Sequence, residues 1–172
     1  MKIISEYIGQ KIWFYQPSVW KRLHELRAGE TVIGTMQQKG FFGMTWVVEI
    51  QNKKWEIYKP SCWKSLIQIR EDGYELPFAD FIKERFRSKG VINFPMGEKI
   101  KIAPHLFKSF CEIKNENDDV FIRIKLKSAM RDKAEVVIEK KSELIDKNPW
   151  VVMLAYMVAL EQKHQAAHSG AH

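Results

Sequence analysis

The chain has 172 residues, 45% hydrophobic and 28% charged, with a formal net charge of +7 and a pI near 9.3. That composition suits a single globular domain with a sizeable core, and the basic balance favours acidic partners: nucleic acid, anionic lipid or phosphorylated ligands. Cys62 and Cys111 lack a CxxC partner or a His at zinc-ligand spacing. This excludes a zinc framework and suits reduced thiols in a cytosolic protein, although one disulfide between them stays open.

In chain order, the opening MKIISEYIGQK has too short an apolar run for a signal peptide, and no lipidation box is present. Residues 11–15 (KIWFY) are strand-like. Residues 20–28 (WKRLHELRA) have leucines three apart, which suits a helix, but the segment is short. Residues 31–37 are rich in β-branched side chains, and KGFFGM (39–44) is expected to turn on its glycines. TWVVEI (45–50) and KWEIYK (54–59) flank Gln51, Asn52 and Lys53 as a hairpin, and SLIQIR (65–70) alternates.

PFADFIKERFR (77–87) places Phe78, Phe81, Ile82 and Phe86 at helical spacing, which predicts a short helix ended by Gly90. Residues 91–94, 99–103, 107–113, 120–127 and 134–139 have strand length and composition. About eleven strand candidates separated by turn signals suggest a barrel or a sandwich.

The segment from Pro149 to Leu160 carries no charge and only one hydroxyl. Asn148 is a good N-cap and Pro149 suits the first helical turn. The apolar run is about 18 Å long, too short for a transmembrane helix, which needs about 20 apolar residues. A helix apolar all round must be walled all round. A single sheet face cannot do that, whereas a closed barrel of about eleven strands can hold a helix on its axis. The expected fold is therefore mainly β: about 11–12 mostly antiparallel strands closed around a buried C-terminal helix, plus the short helix near 77–87. The domain spans residues 1–163, followed by a flexible tail, 164–172. Trp150 and Tyr156 would need hydrogen-bond partners at the wall or the barrel ends.

This succession resembles the tubby C-terminal domain superfamily, which includes phospholipid scramblases and LURP-one-related proteins. KRLHELRAGETVIGT, FFGMTWVVEIQNKKWEIYK, KGVINFPMGEKIKI and NPWVVMLAYMVALEQ carry the resemblance, over most of residues 10–163. It implies a barrel around a C-terminal helix and, among functions found in the group, phosphoinositide binding or lipid movement. It assigns no individual residue here, and fold alone does not deliver function. The Pro-rich leader and acylated cysteine cluster of scramblases have no counterpart in the sequence.

The basic excess is concentrated. Residues 81–141 hold 15 Lys or Arg against 9 Asp or Glu. In VFIRIKLKSAMRDK (120–133), period-two alternation puts Arg123, Lys125 and Lys127 on one face, roughly 6.6 Å apart, with Arg131 and Lys133 following. Such a row could grip a phosphate or an anionic headgroup, and could equally be a solvated outer wall. FIKERFRSKG adds Lys83, Arg85, Arg87 and Lys89, either as a basic amphipathic helix on an anionic surface or as a solvated cap.

Other motifs carry less. NENDD (115–119) has alternating oxygen ligands, but Val120 and Leu126 stand where a calcium loop needs Gly and Glu, so a hairpin turn is expected. His164, His168 and His172 recur every four residues, as a helical metal site would require, but near a frayed end. No nucleophile elbow, phosphate loop or dinucleotide fingerprint occurs. Of the six tryptophans, Trp46 and Trp55 fall in alternating apolar strands, which favours packing over a nucleic-acid platform. The expectation is a non-enzymatic, cytoplasmic barrel without cofactor or metal, peripheral at a membrane, that binds an anionic phospholipid, a phosphoinositide or another phosphorylated ligand. The alternatives are a single-stranded nucleic-acid binder and a small-molecule or lipid carrier.

Overall fold

The computed structural model describes residues 2–18, 20–40, 44–61, 65–84, 89–128 and 131–170. Among these described residues, twelve strands form a closed barrel. They are β1 (Ile12–Ser18), β2 (Leu23–Ala28), β3 (Thr31–Lys39), β4 (Thr45–Ile50), β5 (Lys53–Tyr58) and β6 (Leu66–Glu71), followed by β7 (Ala79–Lys83), β8 (Gly90–Asn93), β9 (Lys99–His105), β10 (Phe110–Lys114), β11 (Val120–Leu126) and β12 (Lys133–Ile138). Each strand pairs antiparallel with its sequence neighbours, and β1 closes on β12 with Ile12 opposite Val136. A short helix, α1 (Glu143–Lys147), then turns the chain into α2 (Trp150–Ser169).

Alternation builds the wall. Ile122 and Ile124 of β11 are buried, while Arg123 and Lys125 face outward. Ile12 and Phe14 point inward from β1, and Ile67 and Ile69 from β6. The outer wall carries ion pairs such as Arg70–Glu56 at 2.6 Å and Arg27–Glu25 at 2.7 Å. A barrel that crosses a bilayer on its strands shows the reverse, an apolar band outward and a polar interior. Among the described residues no helix is long and apolar enough to cross a membrane.

The helix fills the lumen. Every residue from Trp150 to Leu160 is at most 5% exposed. Its two polar aromatics find the partners that burial demands. Trp150 Nε1 donates to Asn148 Oδ1 at 3.2 Å, and the Tyr156 hydroxyl meets His24 Nδ1 at 3.1 Å. Tyr156 also stacks on Phe14 with centroids 3.8 Å apart. Gly34 of β3 gives the helix room, because a Cβ there would sit 2.6 Å from Met153 Cε.

Two expectations are corrected and one ambiguity is resolved. Residues 79–83 form strand β7, not a helix: they pair with β6 through Phe81–Ile67 and with β8 through Phe81–Ile92. The helical spacing was coincidental, since Phe81 is buried, Ile82 is 50% exposed and Phe78 turns onto Trp150 at the barrel end. The ambiguous stretch near residue 23 is strand β2. Helix α2 continues to Ser169, so residues 164–169 extend that helix. The 39–44 turn falls partly outside the described residues, as does Cys62; Cys111 is a free, buried thiol.

Two turns follow the sequence chemistry. Gln51 and Asn52 both take positive φ, 54° and 57°, which is the backbone of a two-residue hairpin. In NENDD, Asn115 Oδ1 accepts from the backbone N–H of Asn117 at 3.0 Å and of Asp119 at 2.9 Å, closing an Asx turn.

Candidate functional site

Because the strands run alternately up and down, consecutive connections fall at opposite ends of the barrel. The end at which α2 enters holds connections 29–30, 51–52, 72–78, 94–98, 115–119 and 139–142. These contain two lysines against eight Asp or Glu. The end at which α2 emerges, the rim, holds connections 19–22, 40–44, 59–65, 84–89, 106–109 and 127–132. Their described residues include seven Lys or Arg against two Asp or Glu. The barrel is thus electrically polarised along its axis.

At the rim, α2 is fastened by charge. The Glu161 carboxylate lies 2.5 Å from Lys59 Nζ and 2.9 Å from Lys83 Nζ. Burial alone would raise its pKa, but Lys83 and Lys59 together hold it below the usual carboxylate range. Lys163 reaches Asp132 at 3.5 Å, and His164 reaches the same oxygen at 3.6 Å.

Among the described residues, two cavities open beside the emerging helix. One of about 250 Å³ is lined by Ser109, Phe110, Leu126, Lys127, Ser128 and Lys163, among others. It offers two ammonium groups and two hydroxyls over an apolar floor, a donor set that suits a phosphate ester. The other, about 520 Å³, lies between α2 and the first strands and is lined by residues including Arg22, His24, Trp46, Asp132 and His164. His24 is only 3% exposed, and burial lowers its pKa to about 4, so near neutrality it is an uncharged partner of Tyr156.

The row named from sequence divides between wall and rim. Arg123 is engaged: its Nη2 lies 2.9 Å from Glu112 Oε1 and its Nη1 3.2 Å from Glu139. Glu112 is 6% exposed and also meets Lys114 at 2.9 Å and His105 at 3.1 Å. Burial would raise its pKa, but bonds from Lys114, Arg123 and His105 outweigh that and hold it at about 2. Lys125 stands opposite Glu135 in register and has no ion pair among the described residues. Lys127 lies 3.5 Å from Glu135. Lys127 and Lys133 also sit over the Trp13 ring, at 5.8 and 4.7 Å. Arg131 Nη1 donates to the Pro17 carbonyl at 3.2 Å and to the Tyr15 hydroxyl at 3.4 Å. In the second basic group, Lys83 is held by Glu161 and Lys89 lies 3.5 Å from Glu84. Arg85 and Arg87 lie outside the described residues.

Sequence reasoning missed the rim cations Lys21, Arg22 and Lys108, and with them Trp20 and Phe107, which are fully exposed. Trp46 and Trp55 pack as expected, Trp55 buried and Trp46 half-buried against the core, whereas Trp20 stands out in solvent. The available signal was an aromatic followed at once by cations at a turn, in WKR and FK.

Among the described residues no group of three His, Cys, Asp or Glu is placed to hold a metal. His164 and His168 stand on the exposed end of α2, and His172 lies outside the described residues. Burial, then the neighbouring Glu112, push the Cys111 thiol far above the range in which it could act as a nucleophile. Comparison with protein-family models, with curated proteins and with solved structures finds no match.

Proposed function

We propose that the chain is a non-enzymatic, tubby-like barrel that binds phosphate-bearing anions, chiefly the headgroups of an anionic phospholipid surface, through its basic rim. The observation that carries this reading is the axial polarity of the strand connections: seven described cations against two anions in those at the rim, and two cations against eight anions in those at the other end. A Lys or Arg near an anionic leaflet contributes about 1 kcal/mol, so such an end is drawn to the surface and the opposite end is repelled. The reading moves the site from the outer wall to the rim. On the wall Arg123 is already neutralised by Glu112 and Glu139, while Lys127 and Arg131 stand where the wall meets the rim. The place of action would be peripheral, at the cytoplasmic face of a membrane.

The carrier reading finds less support, because α2 occupies the lumen that a cargo would need. A nucleic-acid strand would be served by a continuous groove with stacked aromatics. The rim instead offers isolated tips on separate hairpins.

Vesicle co-sedimentation tests the proposal at about 0.15 M salt. Binding should be weak to phosphatidylcholine and stronger once phosphatidylserine or a phosphoinositide is added. Competition by a soluble inositol phosphate separates headgroup capture in a cavity from adsorption to a charged surface. Equal binding to neutral and anionic vesicles, or none to either, would sink the proposal.

A further inference from the structure

We infer that Trp20 and Phe107 are interfacial anchors that enter an anionic lipid leaflet, with the basic rim facing the bilayer. This rests on the phospholipid reading above and adds how the barrel is held and which part of the rim leads. Trp20 is 97% exposed and Phe107 102% exposed, although both are large aromatics that a folded chain ordinarily covers.

Their placement is specific. Trp20 lies in the β1–β2 connection and Phe107 in the turn between β9 and β10. Around the barrel the order is β1, β12, β11, β10, so the β11–β12 hairpin alone separates them. Each ring is followed directly by exposed cations, Lys21 and Arg22 in one case and Lys108 in the other. The hairpin between them brings exposed Lys127 and Arg131. Three neighbouring hairpins therefore present an aromatic tip, a basic tip and a second aromatic tip. Tryptophan and phenylalanine settle at the headgroup boundary, while flanking cations stay among the phosphates.

Charge selects this occupant over others. Tyr74, Leu76 and Met96 are also exposed, at 66%, 82% and 88%, but they sit at the opposite end beside Asp72, Glu75 and Glu98. An anionic leaflet would reject that end. Among the described residues, the exposed aromatics of the rim stand directly beside cations that have no ion pair, Lys21, Arg22 and Lys108.

The experiment compares wild type with Trp20→Ser, Phe107→Ser and the double variant. The vesicles contain phosphatidylcholine with or without phosphatidylserine. Both side chains are exposed, so circular dichroism and the thermal midpoint should be unchanged. Each single change should lower partition into the anionic vesicles about tenfold and the double change about a hundredfold, the scale expected for withdrawing one or two aromatic rings from water. Brominated lipids should quench part of the wild-type tryptophan emission, and Trp20→Phe should remove that quenched part. If the double variant binds as tightly as wild type, cations alone hold the barrel; the anchors are then refuted while the phospholipid reading stands. If wild type binds no vesicle, both fall.

Discussion

Inside the barrel the Tyr156 hydroxyl meets Nδ1 of His24 at 3.1 Å, which joins the central helix to β2 by a buried polar contact. Burial lowers the His24 pKa from 6.5 to about 4, with Asp132 opposing and His164 reinforcing the shift. In the unfolded chain His24 protonates near pH 6.5, and in the folded chain only near pH 4. Between those values the unfolded state binds more protons, so stability falls as the solution is acidified through that window and levels off below it. The shift corresponds to roughly 3 kcal/mol. Urea midpoints measured from pH 7 to pH 4 should fall for wild type and much less for His24→Gln, which offers Tyr156 a neutral partner. Parallel curves for the two proteins would show that His24 is not the titrating group.

Glu112 works in the opposite sense and in a lower window. Its carboxyl titrates at about 2 in the folded chain against an ordinary 4.5, so it stabilises above pH 4.5 and loses that contribution as pH falls through 2. Glu112→Gln would leave Arg123, Lys114 and His105 crowded without their anion. Since those partners are 32%, 19% and 39% exposed, water screens part of the cost, and a loss of about 1–2 kcal/mol near neutrality is expected. The same variant discriminates between sites. If the wall row were the lipid site, releasing Arg123 would strengthen vesicle binding; with the site at the rim, binding per folded molecule should stay unchanged.

Gly90 holds its place through space. A Cβ there would collide with the Ile82 carbonyl oxygen and lie 2.7 Å from the Phe81 ring, so a backbone atom and a buried ring would both have to move. Gly90→Ala should cost about 1–3 kcal/mol. Gly34→Ala meets chiefly the movable end of Met153 and should cost less. Thermal midpoints of the two variants check the order, and equal midpoints would contradict it.

The parts of the structure legible in the sequence were those fixed by burial. Period-two alternation marks Ile122 and Ile124 as inward, and all-round apolarity marks α2 as enclosed. Where pairing partners decide, the sequence misled. Phe78, Phe81 and Ile82 fit a helical period, yet β6 and β8 draw residues 79–83 into the wall. The site was legible only in part. Lys127 and Arg131 stood out within a cationic run, but the rim is assembled from separate connections whose shared end appears only once strand order is known. Nor does spacing along β11 reveal that Glu112, on the neighbouring strand, neutralises Arg123.

The helix itself supplies the sharpest test of the architecture. Leu154 is fully buried midway along the enclosed part of α2, with barrel wall on every side. Leu154→Lys would place an ammonium group there with no water and no anion to receive it, at a cost comparable to the 5–15 kcal/mol that holds a typical domain together. Leu154→Ala removes only packing and should cost about 2–5 kcal/mol, leaving a folded but less stable barrel. If α2 instead lay on a membrane or against a partner, the lysine variant would stay folded and merely lose that association. Size-exclusion chromatography and circular dichroism of both variants decide between these outcomes. A folded, monodisperse Leu154→Lys protein would remove the helix from the barrel axis.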